Sequence, residues 1–251
     1  MVTASTASAS APDGAGEATG VRQQVPEPLQ LDPAEVLALF DRLASLAAPS
    51  RLLAVFDVST SMRAEVGDGT RATLARDAAT SALTLFPDDA AIGLWVFARE
   101  LNGANDWVEL VPTRTLDADA GGQPQRDEIV EQLDSIPDRL APGGTGLYDT
   151  TLAAVRAARA DYDPTSVSSV VIVTDGRDED EGSIGLDELV RTLETEADES
   201  RPVKVIAIGL GPEADLTALQ RIGEATGGAA YSAAEEEDLQ TVLFDALRQR
   251  G

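Results

Sequence analysis

The stretch LLAVFDVSTS, residues 52–61, joins an uninterrupted apolar run to a polar segment that begins at Asp57. Five consecutive apolar residues are typical of a short strand that is covered on both faces, as in the centre of a parallel sheet. The polar residues come where this strand ends, and ligands of open α/β sheets bind beyond the carboxyl ends of the strands. The stretch therefore predicts a central strand and also the edge of the sheet at which a site would lie.

Outward from this stretch, strand-like and helix-like segments alternate along the chain. The predicted strands are residues 52–56, 92–97, 107–110, 170–173, 203–208 and 229–231. The predicted helices are residues 70–86, 126–136, 146–162, 186–199, 215–226 and 235–248. In the first of these helices, Leu74, Ala78, Ala82 and Leu85 share one apolar face. This alternation predicts an α/β fold with a Rossmann-like, doubly wound, mostly parallel six-stranded sheet flanked by helices.

The N-terminal part of the chain differs from the rest in composition. Residues 1–28 are rich in Ala, Ser, Thr, Gly and Pro and bury too little apolar surface to offset chain entropy, so we interpret them as a disordered linker or tail. Residues 29–49 are predicted to form a helix, because Asp32 and Pro33 form a helix-start signature before apolar residues at helical spacing. We expect this helix to pack on a domain that spans residues 50–251.

The composition excludes several classes of site and partner. The 251 residues include no His and no Cys, which excludes Ser-His-Asp triads, thiolate nucleophiles, disulfides and metal sites built on those side chains. The 44 Asp and Glu against 19 Lys and Arg give a net charge of −25, which repels phosphate backbones, so no nucleic-acid partner is expected. No apolar run is long enough to span a bilayer, so no direct membrane insertion is expected. Any site must therefore be built from oxygen ligands.

Three separated segments supply such oxygens. Asp57, Ser59 and Ser61 are two residues apart, so in an extended chain their side chains point the same way. Thr145 lies in the glycine-rich loop 142–146 just before a predicted helix, and Asp175 follows the strand 170–173. Each segment alone is common in turns, but the three together, in this order and on these elements, are specific.

This combination resembles the metal-ion-dependent adhesion site of the von Willebrand factor type A domain, which reads Asp-x-Ser-x-Ser, then Thr, then Asp. The resemblance covers residues 50–248. It implies Mg²⁺, or Mn²⁺, held directly by Ser59, Ser61 and Thr145, with Asp57 and Asp175 contributing directly or through water. Hard oxygen donors suit these ions, and two carboxylates with three neutral hydroxyls leave the ion under-neutralised. A protein partner is therefore expected to supply an Asp or Glu to the ion.

A narrower resemblance is to actinobacterial proteins in which an extracellular solute-binding domain precedes a type A domain. It is carried by residues 50–57, 93–97, 143–152 and 225–228. It implies that the chain belongs to a longer extracellular or cell-surface protein with an N-terminal solute-binding domain, whereas a chain complete as written would be cytoplasmic. One departure from the family pattern is Thr60, where relatives often have Gly and where a β-branched side chain restricts the loop backbone.

The acidic run DEDE, residues 178–181, follows Asp175 closely. The simpler interpretation is a solvated acidic loop, because charge runs are usual in loops. The alternative is that Asp178 and Asp180 form a second, weak Ca²⁺ site or a negative rim that concentrates cations.

Three functions fit these residues. The favoured hypothesis is a non-enzymatic, metal-dependent protein-interaction module. A Mg²⁺-dependent enzyme of phosphoryl chemistry is the first alternative, because that reaction needs mainly a metal and positioning, but there is no P-loop and the single lysine, Lys204, falls in a predicted strand. The second alternative is a structural or sensory domain with a vestigial site.

Overall fold

A six-stranded sheet organises the fold of residues 49–233, which are the residues that the computed structural model describes. The strands of this sheet are β1 (Ser50–Asp57), β4 (Ala91–Asn102), β5 (Asn105–Thr115), β6 (Val167–Thr174), β7 (Lys204–Leu210) and β8 (Ala229–Ala233). Two short strands, β2 (Glu65–Val66) and β3 (Gly69–Thr70), form a separate antiparallel hairpin. The strand order is β5-β4-β1-β6-β7-β8, and all neighbours are parallel except β4 and β5. The predicted mostly parallel, six-stranded sheet is confirmed.

Strand β1 lies in the middle of this sheet. It pairs with β4 on one side and with β6 on the other, so that Val55 lies opposite both Trp95 and Ile172. Val55 is fully buried, as the continuous apolar run predicts for a strand covered on both faces.

Within residues 49–233, five α-helices cover the two faces of the sheet. They are α1 (Arg71–Leu83), α2 (Gln125–Asp134), α3 (Leu147–Ala160), α4 (Leu186–Thr195) and α5 (Leu216–Ala225), and short 3₁₀ helices occupy Thr60–Arg63 and Ile136–Arg139. One apolar core lies under α1 and α2, and the other lies under α3, α4 and α5. Within residues 49–233, none of the helices combines the length and the apolarity that crossing a bilayer requires.

The antiparallel pair at one edge of the sheet is longer than the apolar pattern indicates. β4 and β5 extend well beyond the predicted strands 92–97 and 107–110 and meet at a tight turn, in which Gly103 has a φ of +68°. Polar residues such as Arg99 and Glu100 interrupt the apolar pattern in this extension. The pairing with β5 is also irregular there, and the Glu100 N–H donates to Asp106 Oδ1 at 2.7 Å.

The predicted helix 70–86 ends earlier than expected, and the prediction that Leu85 belongs to its buried face is wrong. α1 ends at Leu83, and the N–H groups of Thr84 and Leu85 then donate to carbonyls three residues back, Ser81 O at 3.2 Å and Ala82 O at 3.0 Å. Such bonds tighten the last turn and rotate it relative to an α-helix. The side chain of Leu85 is 56% exposed as a result.

Other boundaries shift by a few residues, as at α4, which ends at Thr195 rather than at 199. Three further predictions fall wholly or almost wholly outside the described residues, namely the tail 1–28, the N-terminal helix 29–49 and the helix 235–248.

The contrast between two leucines gives a test of this packing. Leu94→Ala should lower the free energy of unfolding by about 2–5 kcal/mol, because it removes a fully buried side chain from β4. Leu85→Ala is the matched substitution at an exposed position and should change it by less than about 0.5 kcal/mol. Urea denaturation measures both, and equal losses would contradict the placement of these side chains.

Candidate metal centre

The five residues predicted to bind a metal converge at the carboxyl edge of the sheet. Asp57 ends β1, and Asp175 directly follows β6 on the neighbouring strand. After β1, the chain adds β4 and β5 on one side of β1, and then β6, β7 and β8 on its other side. The connections therefore diverge between β1 and β6, which is where open α/β sheets form a binding crevice.

Hydrogen bonds link the oxygen atoms of this group into one cluster. Ser59 Oγ lies 2.9 Å from Ser61 Oγ, and Thr145 Oγ1 donates to Ser59 Oγ at 3.3 Å. The Ser61 hydroxyl also donates to Asp175 Oδ1 at 2.7 Å. The three hydroxyls thus form a chain of hydrogen bonds, and Ser61 joins this chain to the buried carboxylate of Asp175.

Asp57 holds the loop after β1 in place from inside the protein. Its carboxylate is fully buried, Oδ1 accepts the Ser59 N–H at 2.7 Å, and Oδ2 accepts the Thr174 hydroxyl at 2.6 Å. Burial raises the pKa of Asp57 to about 6 against the effect of these hydrogen bonds, and the charge of Asp175 raises it further. A cation bound beside this carboxylate would favour its ionised form.

The loop that carries Thr145 is fixed on both sides by the backbone. Gly144 O accepts the Arg99 N–H at 2.8 Å, and Thr145 O accepts the Glu179 N–H at 2.8 Å. A Cβ at Gly176 would lie only 3.2 Å from Thr145 Oγ1, so a residue without a side chain leaves room for this hydroxyl. Thr145 itself is 1% exposed.

Thr60, the departure from the family pattern, is accommodated and forms a link between two loops. Its hydroxyl donates to Ala141 O at 3.1 Å and accepts the Gly143 N–H at 3.3 Å. Its φ is not positive, so the β-branched side chain fits the 3₁₀ helix that it begins. The loop after β1 is thereby tied to the loop that carries Thr145.

Two functional neighbours escaped the sequence analysis. Thr174, the hydrogen-bond donor to Asp57, could have been noticed as a polar residue at the end of an apolar strand. Arg71, the first residue of α1, donates from Nη1 to Asp175 Oδ2 at 2.8 Å and also pairs with Glu213. No spacing in the sequence signals that Arg71 would meet Asp175, which lies 104 residues later.

The acidic run after Asp175 has two different environments. Asp178 accepts the N–H groups of Leu147 at 2.9 Å and Tyr148 at 3.2 Å, and so caps the start of α3. Asp180 instead offers an oxygen within 4.8 Å of oxygens of Asp106 and Asp149, and Asp178 is not part of this group. Among residues 49–233, the group of three carboxylates close enough to share a cation thus contains Asp180 but not Asp178, and the second Ca²⁺ site stays a prediction.

Burial affects the electrostatics of both acidic environments. It raises the pKa of Asp178 to about 6, although the two N–H donors act in the opposite direction. It also raises the pKa of Asp106, to which the charges of Asp180 and Asp149 contribute. Desolvation by burial is the main cause of both pKa shifts.

The chemistry of the cluster suits a small, hard divalent cation. Every candidate donor is a hydroxyl or carboxylate oxygen, and the chain has no His or Cys that could favour softer metals. Asp57, Ser59, Thr145 and Asp175 are each no more than 1% exposed, so an ion among them would be shielded from bulk water. Mg²⁺ or Mn²⁺ fits such a donor set and keeps waters at unused positions.

The comparisons with known proteins agree with this fold. A family model described as the von Willebrand factor type A domain matches residues 50–232. The search of curated proteins found no match.

Solved structures share the fold at low sequence identity. A von Willebrand factor type A protein from Catenulispora acidiphila has a TM-score of 0.62 and 18% identity, over 81% of this chain and 43% of its own. The pilus adhesin SpaC from Lactobacillus rhamnosus GG has a TM-score of 0.59 and 15% identity, over 81% and 30%. Proximal thread matrix protein 1 from the mussel byssus, with a zinc-occupied metal-ion-dependent adhesion site, has a TM-score of 0.57 and 16% identity, over 80% and 47%. The chain spans less than half the length of each of these proteins.

The burial of Asp178 gives a pH-dependent prediction. The pKa of Asp178 in the folded chain is about 6, above the ordinary value of 3.8. Between these two pH values, the folded chain therefore keeps a proton on Asp178 that the unfolded chain has released. Stability from this group is therefore lost as the pH rises through that window. Relative to Asp178→Asn, which cannot titrate at this position, the wild type should lose unfolding free energy between about pH 4 and about pH 6. Urea denaturation along this pH series measures the difference in unfolding free energy between the two proteins, and a difference that stays constant with pH would contradict the raised pKa of Asp178.

Proposed function

The chain belongs to the von Willebrand factor type A domain family, and from that premise we propose that it is a metal-dependent protein-interaction module. The ligands of the proposed Mg²⁺ or Mn²⁺ are the hydroxyls and carboxylates of the cluster, namely Asp57, Ser59, Ser61, Thr145 and Asp175. One observation carries the proposal: the three hydroxyls and Asp175, from three distant segments, form one hydrogen-bonded chain at the switch point between β1 and β6, and Asp57 accepts the Ser59 N–H beside it.

The charge of the centre supports a role in binding an acidic partner. Two carboxylates and three neutral hydroxyls surround the proposed ion, and Arg71 already neutralises part of one carboxylate. A divalent cation in this setting keeps excess positive charge, which an Asp or Glu from a partner protein would balance. The bound ion would supply a bridge between two acidic surfaces that otherwise repel each other.

Hydrogen bonds from neighbouring residues hold the proposed metal ligands in position. Thr174 and the Ser59 N–H orient the Asp57 carboxylate, while Arg99 and Glu179 hold the Thr145 loop through its backbone carbonyls. The hydroxyl ligands are thus positioned by the fold before any ion binds, which lowers the ordering cost of binding.

The enzyme alternative has less support. Phosphoryl transfer needs a base or a water-positioning group beside the metal in addition to the ion. Within residues 49–233, both oxygens of each carboxylate in the cluster already accept hydrogen bonds from protein groups. Two of the structural neighbours are described as an adhesin and a matrix protein, and neither as an enzyme. Turnover in a phosphatase and nucleotide panel with Mg²⁺ would favour the alternative.

A cell-surface setting belongs to the same proposal. The actinobacterial resemblance of the runs 50–57 and 143–152 supports a native protein in which a solute-binding domain precedes this domain. The pilus adhesin among the structural neighbours is consistent with such a setting. Fractionation of the native cells with an antibody against this domain tests it, and detection only in the cytosol would contradict it.

Metal binding is the first test of the proposed centre. Asp57→Asn should abolish Mn²⁺ and Mg²⁺ binding in isothermal titration calorimetry, and Ser61→Ala should weaken it by about tenfold or more, because each removes part of the donor set. Ser81→Ala, at an exposed position on α1, is the matched serine control and should bind like the wild type. A wild type that binds neither ion at millimolar concentration would favour the vestigial-site alternative.

Partner binding is the second test. Protein captured from the native cell envelope by the immobilised chain should be released by EDTA and recovered when Mg²⁺ is added back. The Asp57→Asn chain should capture none of it, while circular dichroism checks that the variant is folded. Capture that is equal in excess EDTA would contradict metal-dependent recognition.

A further inference from the structure

Arg71 is a buried arginine beside the candidate centre, although no motif of the site includes it. Its side chain is 11% exposed, its Nη1 donates to Asp175 Oδ2 at 2.8 Å, and its Nη2 pairs with Glu213. Its Nε is buried and has no hydrogen-bond partner in the described part of the chain. The position of this guanidinium is thus set by its two carboxylate partners.

The loop between β7 and α5 provides a close-fitting seat for the guanidinium. Gly211 in this loop has a φ of +77°, and a Cβ there would lie 2.9 Å from Nη2 and 3.2 Å from Cζ of Arg71. Only a residue without a side chain allows the backbone to pass this close. The Gly211 N–H donates to Ala233 O, the last residue of β8, at 3.0 Å. This hydrogen bond ties the loop beneath the guanidinium to the sheet.

The two carboxylate oxygens of Asp175 have different hydrogen-bond partners. Oδ2 accepts the guanidinium, whereas Oδ1 accepts the Ser61 hydroxyl. Asp175 therefore faces the hydroxyl cluster through Oδ1, and its negative charge is shared with a fixed cation. Glu213, the outer partner of Arg71, is 61% exposed and solvent screens its charge.

We propose that Arg71 sets the charge of the metal centre, so that the centre binds a divalent cation more weakly than two free carboxylates would and stays positive once the cation is bound. The buried groups Asp57, Asp175 and Arg71 together carry one net negative charge, so a divalent ion leaves one net positive charge. The two carboxylates alone would match the charge of a divalent ion, so the under-neutralisation that the sequence led us to expect depends on Arg71. The inference rests on the proposed function, because it concerns the same ion.

A purely structural role for Arg71 predicts the opposite result. If the guanidinium only braced Asp175, its loss would leave a mispositioned ligand and weaker metal binding. If it sets the charge, its loss removes a repulsive cation from a buried site, where Coulomb interactions are strong, and metal binding tightens.

Calorimetric titration of the full chain with Mn²⁺ separates the two roles. Arg71→Gln removes the charge but keeps an amide that can donate to Asp175, and it should bind Mn²⁺ about tenfold more tightly than the wild type. Arg71→Lys keeps the charge and should stay within about threefold of the wild type. Glu213→Gln leaves the guanidinium in place and should bind no more tightly than the wild type. The rise in melting temperature at a fixed Mn²⁺ concentration should follow the same order.

Equal or weaker binding by folded Arg71→Gln would overturn the inference while leaving the proposed function intact. If Arg71→Gln is poorly folded, Arg71→Met provides the second neutral variant, and weaker binding by that variant would also overturn the inference. No binding by the wild type with clear binding by Arg71→Gln would support the inference and contradict the proposed function for the native sequence. No binding by any of the proteins would contradict both.

Discussion

The pairing of β1 with both β4 and β6 is the constraint on which the rest of the fold depends. A strand hydrogen-bonded on both edges and packed on both faces cannot shift its register without exposing apolar side chains on one face and burying polar ones. The last residue of β1 is therefore fixed in space, and that residue is Asp57. The connections from β1 and β6 run to opposite sides of the sheet, which leaves a crevice at this point. The loops that carry Ser59, Ser61 and Thr145 line this crevice.

The candidate centre is an electrostatic exception in a strongly acidic protein. Burying Asp57 beside Asp175 disfavours the ionised form of Asp57, since desolvation and the charge of Asp175 both raise its pKa. The fold offsets this with hydrogen-bond donors from Thr174, Ser61 and the backbone and with the guanidinium of Arg71. Buried charges held in this way are weak evidence for a contribution to stability and point instead to a binding role.

Much of the fold could be predicted because its central strands are apolar without interruption. The runs around Val55 and Ile172 predicted the middle of the sheet, and the two-residue spacing after Asp57 predicted where three donors would point. The extension of β4 could not be predicted, because backbone ladders leave no apolar pattern in polar residues. Arg71 could not be predicted for another reason: its contact with Asp175 depends on how α1 is docked, which no local spacing encodes. The capping role of Asp178 likewise depends on a helix that begins 31 residues earlier.

The wide separation of the cluster along the chain has a thermodynamic consequence. Ser59 and Thr145 are 86 residues apart, and Ser61 and Asp175 are 114 apart. No subset of local structure can assemble these oxygens, so an ion that needs all of them binds only the completed domain. Binding and folding would then be linked: each added increment of cation concentration would stabilise the whole domain, and loss of either strand flanking the crevice would release the ion. In an environment where divalent cations vary, the same ion that would recruit a partner would also determine how long the domain survives unfolding and proteolysis.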